Sequence, residues 1–171
     1  HIERLITKKT KAIVVINPNN PTGAVYSKAC LEAIADIAAR HQLVLFSDEI
    51  YSDIIFSPHR FAPMAPLSTD AMTITFRGLS KNYLLAGYRC AWMIVSGNTE
   101  PARDYIAGIN KLLEMRLCAN VPAQYAVPLA LSDPKFLLLS LYPNMQDKVR
   151  TITNRLNQID GLNCHTPQGA F

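Results

Sequence analysis

Lys11-Ala12-Ile13-Val14-Val15-Ile16 is the stretch that decides the fold class of this chain, together with the loop Asn17-Pro18-Asn19-Asn20-Pro21-Thr22-Gly23 that follows it. The β-branched apolar run favours a strand, and the Asn, Pro and Gly residues favour a turn. From the N-cap candidate Ser27 to His41 the apolar residues recur at helical spacing, and residues 43–46 form a second apolar strand. Strand, helix and strand in this order predict an α/β fold whose parallel sheet is covered on both faces.

Further apolar runs extend this pattern along the chain. Residues 72–76 and 90–95 predict a third and a fourth strand, whereas residues 52–70 are irregular and rich in proline. The second half of the chain predicts helices at residues 100–117, 122–131 and 142–159. Pro128 is expected to kink or break the second of these helices, and Gly161 to end the third. Residues 162–165 then predict the start of a new strand.

Composition excludes several classes of protein. With 49% hydrophobic and 18% charged residues among 171, the chain is globular and not disordered. It has no apolar run long enough to cross a bilayer, and its short basic cluster at residues 8–11 is no nucleic-acid stripe. The four cysteines and four histidines show no metal-ligand spacing. We therefore expect a cytoplasmic protein that binds no metal, membrane or nucleic acid.

Polar side chains follow the first three predicted strands at their carboxyl ends. Asn20 follows the first strand, Asp48 the second and Lys81 the third. In parallel sheets ligands bind at this edge. The amine of Lys81 could condense with a carbonyl group, and the guanidinium of Arg89, eight residues later, could hold a phosphate. A solvated lysine and an ordinary turn are the competing interpretations, and the convergence of these side chains argues against them.

The combined motifs resemble one known family. The loop at residues 17–23, the segment Asp48-Glu49-Ile50-Tyr51, and Ser80-Lys81 with Arg89 resemble the class I/II aminotransferases, pyridoxal-phosphate enzymes of fold type I. The resemblance covers the whole chain, down to Pro167-Gln168-Gly169-Ala170-Phe171, which is similar to the family's P-x-G-A-F-Y segment. Within the family, residues 78–81 and 115–124 are most similar to the bacterial glutamate–pyruvate (alanine) aminotransferases.

The resemblance implies a domain organisation. Residues 1–140 correspond to the C-terminal part of the large cofactor-binding domain, a mostly parallel sheet flanked by helices. Residues 141–171 correspond to the long linking helix and the truncated beginning of the small domain. We therefore expect a fragment of a homodimeric enzyme that is inactive alone and exposes a sheet edge at residues 11–16.

The resemblance also implies roles toward pyridoxal 5'-phosphate. Lys81 is implied to bind the aldehyde covalently and then to carry the proton between the substrate Cα and the cofactor C4′. Asp48 is implied to pair with the pyridine nitrogen, although its carboxylate could instead cap the following turn. Asn20 and Tyr51 are implied to donate hydrogen bonds to the phenolic oxygen.

The phosphate site is less complete. Arg89 is implied to hold the phosphate, and Ser80 is a weaker candidate for the same group. Many relatives place a serine three residues before the lysine, where this chain has Gly78. Arg77 stands where the most similar relatives have a polar amide, and the sequence suggests no role for it.

The implied reaction is a ping-pong exchange of an amino group between L-alanine and 2-oxoglutarate. Three alternatives stay open at this point. The first is a related enzyme, such as an aromatic or diaminopimelate aminotransferase or a β-lyase. The second is the aminotransferase-like sensor domain of a transcription regulator. The third is a degenerate protein that only binds partners, and the intact set of cofactor residues argues against it.

Overall fold

Four strands form one sheet in the order in which they occur in the chain. The structure is a computed structural model. It describes residues 1–170, apart from the side chains of residues 134 and 139. Phe171, the last residue of the C-terminal segment that resembles the family's, lies outside the described residues. The strands are β1 Ala12–Ile16, β2 Val44–Asp48, β3 Thr73–Gly78 and β4 Ala91–Ser96. β1, β2 and β3 are parallel, so the predicted α/β fold with a mostly parallel sheet is confirmed.

The three parallel strands end at the same level. Ile16 pairs with Asp48, and Asp48 pairs with Phe76. The hydrogen bonds continue one residue further, because Asn17 N donates to Asp48 O and Glu49 N donates to Phe76 O, each at 3.0 Å. The loops that follow the three strands therefore begin side by side at one edge of the sheet.

β4 is antiparallel to β3, so it is the strand that makes the sheet mostly and not wholly parallel. Gly78 pairs with Ala91, and the connection between them contains only a short 3-10 turn, Ala86–Tyr88. Parallel neighbours are usually joined by a crossover that contains a helix, whereas an antiparallel strand can return directly.

One face of the sheet is covered by α1, Lys28–Arg40. Ser27 caps this helix as predicted, since its Oγ accepts a hydrogen bond from Cys30 N at 3.2 Å. The apolar face of α1 and the sheet share one buried cluster, which consists of Val15, Leu31, Ile34, Ala35, Ala38, Leu43, Leu45, Met64 and Ala71. Burial of this stripe is what holds the helix on the sheet.

The opposite face is partly open among the described residues. Phe46 stacks on Phe76 there, with ring centroids 6.0 Å apart. Val14, which pairs with Phe46 across β1 and β2, is 65% exposed. The expected cover on both faces is therefore incomplete in the described part of the chain.

The helices of the second half are α2 Arg103–Arg116, α3 Val121–Gln124, α4 Ala126–Ser132, α5 Leu138–Leu141 and α6 Met145–Leu156. The predicted helix at 122–131 breaks at Tyr125 and not at Pro128. A proline ring clashes with the carbonyl four residues earlier, which here belongs to Gln124, where α3 ends. Pro128 itself lies in the first turn of α4, where amide donors are not needed. No helix among residues 1–170 is long and apolar enough to cross a membrane.

The last helix is shorter than the predicted span of residues 142–159. Tyr142 precedes a proline, and that position disfavours helical dihedral angles. After the helix, the Asn157 side chain donates to Cys164 O at 2.9 Å and accepts from Cys164 N at 2.7 Å. These bonds hold residues 162–165 in an irregular turn, so the strand predicted there is wrong. Gly161, with φ +83°, lies within this turn and not directly after the helix.

The C-terminal segment at residues 168–170 joins two distant loops. The amides of Gln168 and Gly169 donate to Gly23 O at 2.8 and 3.0 Å, in the loop after β1. The amide of Ala170 donates to Ile54 O at 2.9 Å, in the loop after β2. The segment therefore holds the loops after β1 and β2 together.

Glu49 is a buried carboxyl group directly after β2. Its side chain is enclosed, with the residue only 2% exposed, and its Oε1 accepts hydrogen bonds from Ser47 Oγ at 3.1 Å and Met64 N at 3.0 Å. Burial raises the pKa of Glu49 above its ordinary value of 4.5, and the hydrogen bonds oppose this shift only in part.

We expect Glu49→Gln to stabilise the chain increasingly as the pH rises above 4.5. Below that pH the carboxyl group is protonated in both states, so it contributes no pH dependence. Above it the unfolded state ionises first, so the wild type loses stability until its raised folded pKa is passed. The measurement is the free energy of unfolding in urea, for the wild type and each variant, between pH 3 and pH 8.

Glu3→Gln is the matched control with the opposite sign. Hydrogen bonds from Arg40 and His41 hold the pKa of Glu3 at about 2, so the wild-type carboxylate stabilises the fold above pH 4.5 and loses this effect as the pH falls toward 2. A Glu49→Gln stability difference that is constant from pH 4 to pH 8 would contradict the first expectation.

Gly169→Ala should destabilise the chain by about 1–3 kcal/mol, the usual cost of overpacking. A Cβ atom there would lie 2.5 Å from Ile54 O, so the backbone would have to move. The measurement is the urea unfolding free energy. Gly108→Ala is the control, because a Cβ there meets nothing within 4 Å and the residue is inside α2, so a gain of about 0.5–1 kcal/mol is expected. Equal effects of the two substitutions would refute the close approach.

Candidate active site

The loop after β1 is organised by its own asparagines. Asn19 O accepts from Gly23 N at 2.9 Å, and Asn19 Oδ1 accepts from Thr22 Oγ1 at 2.7 Å. The buried Asn17 accepts a hydrogen bond from Tyr26 N at 3.0 Å. The peptide bonds before Pro18 and Pro21 are cis. This turn presents Asn20 at the edge where β1 ends.

Side chains from three loops meet at Tyr51. Asn20 Nδ2 lies 3.5 Å from the Tyr51 hydroxyl oxygen and donates to it. Lys81 Nζ lies 5.8 Å from the centroid of the Tyr51 ring, within the range of a cation–π contact. Tyr51 itself is buried at 8% exposure, whereas Asn20 and Lys81 are exposed. The buried tyrosine thus contacts both the exposed Asn20 amide and the exposed Lys81 amine.

Asp48 is the last residue of β2, the middle strand of the three. Its carboxylate is half-buried, and Oδ1 accepts from Ile50 N at 3.1 Å. This hydrogen bond caps the turn after β2, which is the alternative to a cofactor role that the sequence suggested for Asp48. A carboxylate has two oxygens with several acceptor positions, so the two roles are compatible.

Ser80 and Arg89 lie where the loop between β3 and β4 narrows. Leu79 N donates to Cys90 O at 3.1 Å and extends the ladder between the strands, so Ser80 and Arg89 are the next residues inside the loop. Arg89 has left-handed dihedral angles, with φ +50°, and its Nη1 donates to Ala86 O at 3.1 Å. The described lining of an adjoining cleft of about 380 Å³ includes Arg89, Trp92, Asn120 and Gln124.

The predicted site residues therefore fall into two groups. Asn20, Tyr51 and Lys81 are in mutual contact through the tyrosine, and the strand register places Asp48 at the same edge. Ser80 and Arg89 form the second group, at the narrow part of the loop between β3 and β4. The first group offers an amine, a phenol, an amide and a carboxylate, which can together bind an aromatic aldehyde.

The sequence analysis missed a polar cluster beside Tyr51 and Lys81. Ser52, Asp53, Arg77 and Asn82 are joined by hydrogen bonds. No sequence motif pairs these positions, and the only signal was Arg77, the one charged residue of β3. Burial, with the neighbouring Asp53 carboxylate, raises the pKa of the adjacent Tyr83 hydroxyl.

Known proteins match the chain over nearly its whole length. Glutamate-pyruvate aminotransferase AlaA of Escherichia coli strain K12 is 44% identical over 99% of this chain, and alanine aminotransferase of Mycobacterium tuberculosis strain H37Rv is 43% identical over 99%. The chain spans only 42% and 40%, respectively, of these two relatives.

Solved structures agree with these sequence matches. An aminotransferase from Escherichia coli aligns with a TM-score of 0.92 at 44% identity, covering 99% of this chain and 42% of that one. Alanine aminotransferase from Pyrococcus furiosus aligns with a TM-score of 0.92 at 37% identity, covering 99% and 43%. The family model for aminotransferase class I and II matches residues 1–171, and the chain therefore belongs to that family.

Proposed function

We propose that this chain is the cofactor-binding part of a pyridoxal-phosphate-dependent aminotransferase that exchanges an amino group between L-alanine and 2-oxoglutarate, giving pyruvate and L-glutamate. The observation that carries the proposal is the meeting of Asn20, Tyr51 and Lys81 beside Asp48 at one sheet edge. The substrate pair is supported by the names of the relatives, glutamate–pyruvate and alanine aminotransferase.

The donor set fits pyridoxal 5'-phosphate. When bound, this cofactor supplies an electron sink for the substrate's Cα electrons. An amine is the group that reacts with its aldehyde, and a carboxylate beside the pyridine nitrogen keeps that nitrogen protonated. Lys81 provides the amine from the loop after β3, and Asp48 provides the carboxylate from the end of β2.

The remaining roles follow from hydrogen-bonding chemistry. Asn20 and Tyr51 would donate to the phenolic oxygen and so stabilise its ionised form. Lys81, when released from the aldehyde, would move the proton at the substrate Cα, because its exposed amine can act as a general base. The centroid of the buried Tyr51 ring lies 5.8 Å from that amine.

Arg89 would hold the phosphate with its guanidinium, and Ser80 would add a hydroxyl from the same narrow part of the loop. Gly78 supplies no hydroxyl, and packing explains why. A Cβ at position 78 would lie 2.9 Å from Cys90 O, a backbone atom, and 3.0 Å from Ala91 Cβ. A serine at this position would therefore push β3 and β4 apart.

The proposal includes a cytoplasmic homodimer for the whole protein, and the family resemblance supports it. Helix α2 adds a physical argument, because Leu112 is 67% exposed, Leu113 56% and Met115 80%. Apolar surface of this kind is typical of interfaces.

Incubation of the chain with pyridoxal 5'-phosphate, followed by borohydride reduction and peptide mass spectrometry, tests the cofactor assignment. We expect a visible absorption band and a fixed adduct predominantly on Lys81. Lys81→Ala should lose both signals, whereas Lys111→Ala, which removes an exposed lysine of α2, should keep them. An adduct spread evenly over the lysines, or one that survives in Lys81→Ala, would show that the assignment is wrong.

The chain alone should show little exchange between L-alanine and 2-oxoglutarate, because it spans only 42% of the length of the AlaA relative. A coupled assay for pyruvate measures this exchange. A longer protein that contains this chain should restore it. Normal turnover by the 171-residue chain would contradict the expectation.

A further inference from the structure

Ser52, Asp53, Arg77 and Asn82 form a connected set that we name the polar clamp. Arg77 Nη2 donates to Ser52 Oγ and, at 3.1 Å, to Asp53 Oδ2. Asn82 Nδ2 donates to Ser52 Oγ at 3.0 Å and to Asp53 Oδ2 at 2.7 Å. The Asp53 amide donates back to Asn82 Oδ1 at 3.3 Å. These bonds join β3, the loop after β2 and the loop after β3.

Two clamp residues are covalent neighbours of the residues that meet at the site. Ser52 directly follows Tyr51, and Asn82 directly follows Lys81. The clamp is also attached to the helical half of the chain, because Leu138 N donates to Asn82 O at 2.6 Å. Leu138 packs in the same buried cluster as Tyr51. A displacement of any clamp residue would therefore be transmitted to the Tyr51 ring or the Lys81 backbone.

Burial decides which clamp bonds are rigid. Ser52 is 3% exposed and Asn82 is 2% exposed, so water competes poorly for their hydrogen bonds. The side chains of Arg77 and Asp53 are 31% and 33% exposed, so solvent screens their ion pair. The charged pair therefore orients the buried amide and hydroxyl more than it stabilises the fold.

We propose that the polar clamp sets the position of the Lys81 amine relative to the Tyr51 ring, with Arg77 and Asp53 as positioning residues. Its consequence for cofactor chemistry rests on the proposed function above. Neither residue acts on a reacting atom, and both act through the turns that carry Tyr51 and Lys81.

The first test needs no cofactor. The chain is treated with trace acetic anhydride, and acetylation of Lys81 is measured by mass spectrometry relative to Lys111. Arg77→Met and Asp53→Asn should each raise the relative rate at Lys81 about 2- to 5-fold, because a displaced ring no longer holds the ammonium. Arg103→Met is the matched control, since its exposed guanidinium pairs only locally with Glu100 in the described contacts, and it should change nothing.

The second test uses the chain loaded with pyridoxal 5'-phosphate. The pH midpoint of its visible absorption band is titrated for the wild type and the same variants. If Tyr51 no longer donates its hydrogen bond to the ionised phenolic oxygen, the midpoint should shift upward by about one pH unit. A change of overall stability alone would not move this midpoint.

The double variant Arg77→Met with Asp53→Asn separates coupling from independent damage. If both residues act through one clamp, its Lys81 acetylation should not exceed that of the stronger single variant by more than experimental error. Asp53→Asn preserves the size of the side chain, so it decides the question if Arg77→Met does not fold.

An unchanged rate of Lys81 acetylation in folded Asp53→Asn would overturn the proposed positioning role of the polar clamp and would leave the proposed function intact. Failure of wild-type Lys81 to take up pyridoxal 5'-phosphate would instead overturn the proposed function. The acetylation experiment would still decide the positioning role in that case, because it uses no cofactor.

Discussion

The parallel register of β1, β2 and β3 is the constraint on which the site depends. Ile16, Asp48 and Phe76 lie at one level across the sheet, and backbone hydrogen bonds at 3.0 Å continue the ladder past the strand ends. Three loops therefore start side by side, although Asp48 comes 28 positions after Asn20 in the sequence and Lys81 comes 33 positions after Asp48. A shift of one residue in either pairing would turn the terminal side chains to the other face.

Hydrogen bonds between the loops after β1, β2 and β3 keep these loops in place at the edge of the sheet. Residues 168–170 connect the loops after β1 and β2, and the polar clamp connects the loop after β2 to the loop after β3. Tyr51 directly precedes the residues at which both connections attach, Ser52, Asp53 and Ile54. The amide of Asn20 and the amine of Lys81 are exposed, so their positions depend on the backbone beneath them. This support of exposed groups by buried hydrogen bonds suits the cofactor site that we propose.

Two features of the packing near the site are energetically unfavourable or restrict the sequence. Glu49, the residue after Asp48, is buried, and this burial raises the pKa of its carboxyl group. The close approach of β3 and β4 leaves no space for a Cβ at Gly78. One sheet face and much of α2 stay exposed among residues 1–170.

The sequence by itself determined the α/β class, the four strands, the Ser27 cap and the family, because periodicity, turn residues and local motifs are short-range properties. It placed Asn20, Asp48 and Lys81 at one sheet edge, and their functional roles remain proposals. It did not give the direction of β4, and it was wrong about the ends of α6 and the strand at residues 162–165. Only the tertiary structure decided those features, together with the polar clamp and the bonds of residues 168–170, because each depends on side chains that are distant in sequence and meet only after folding.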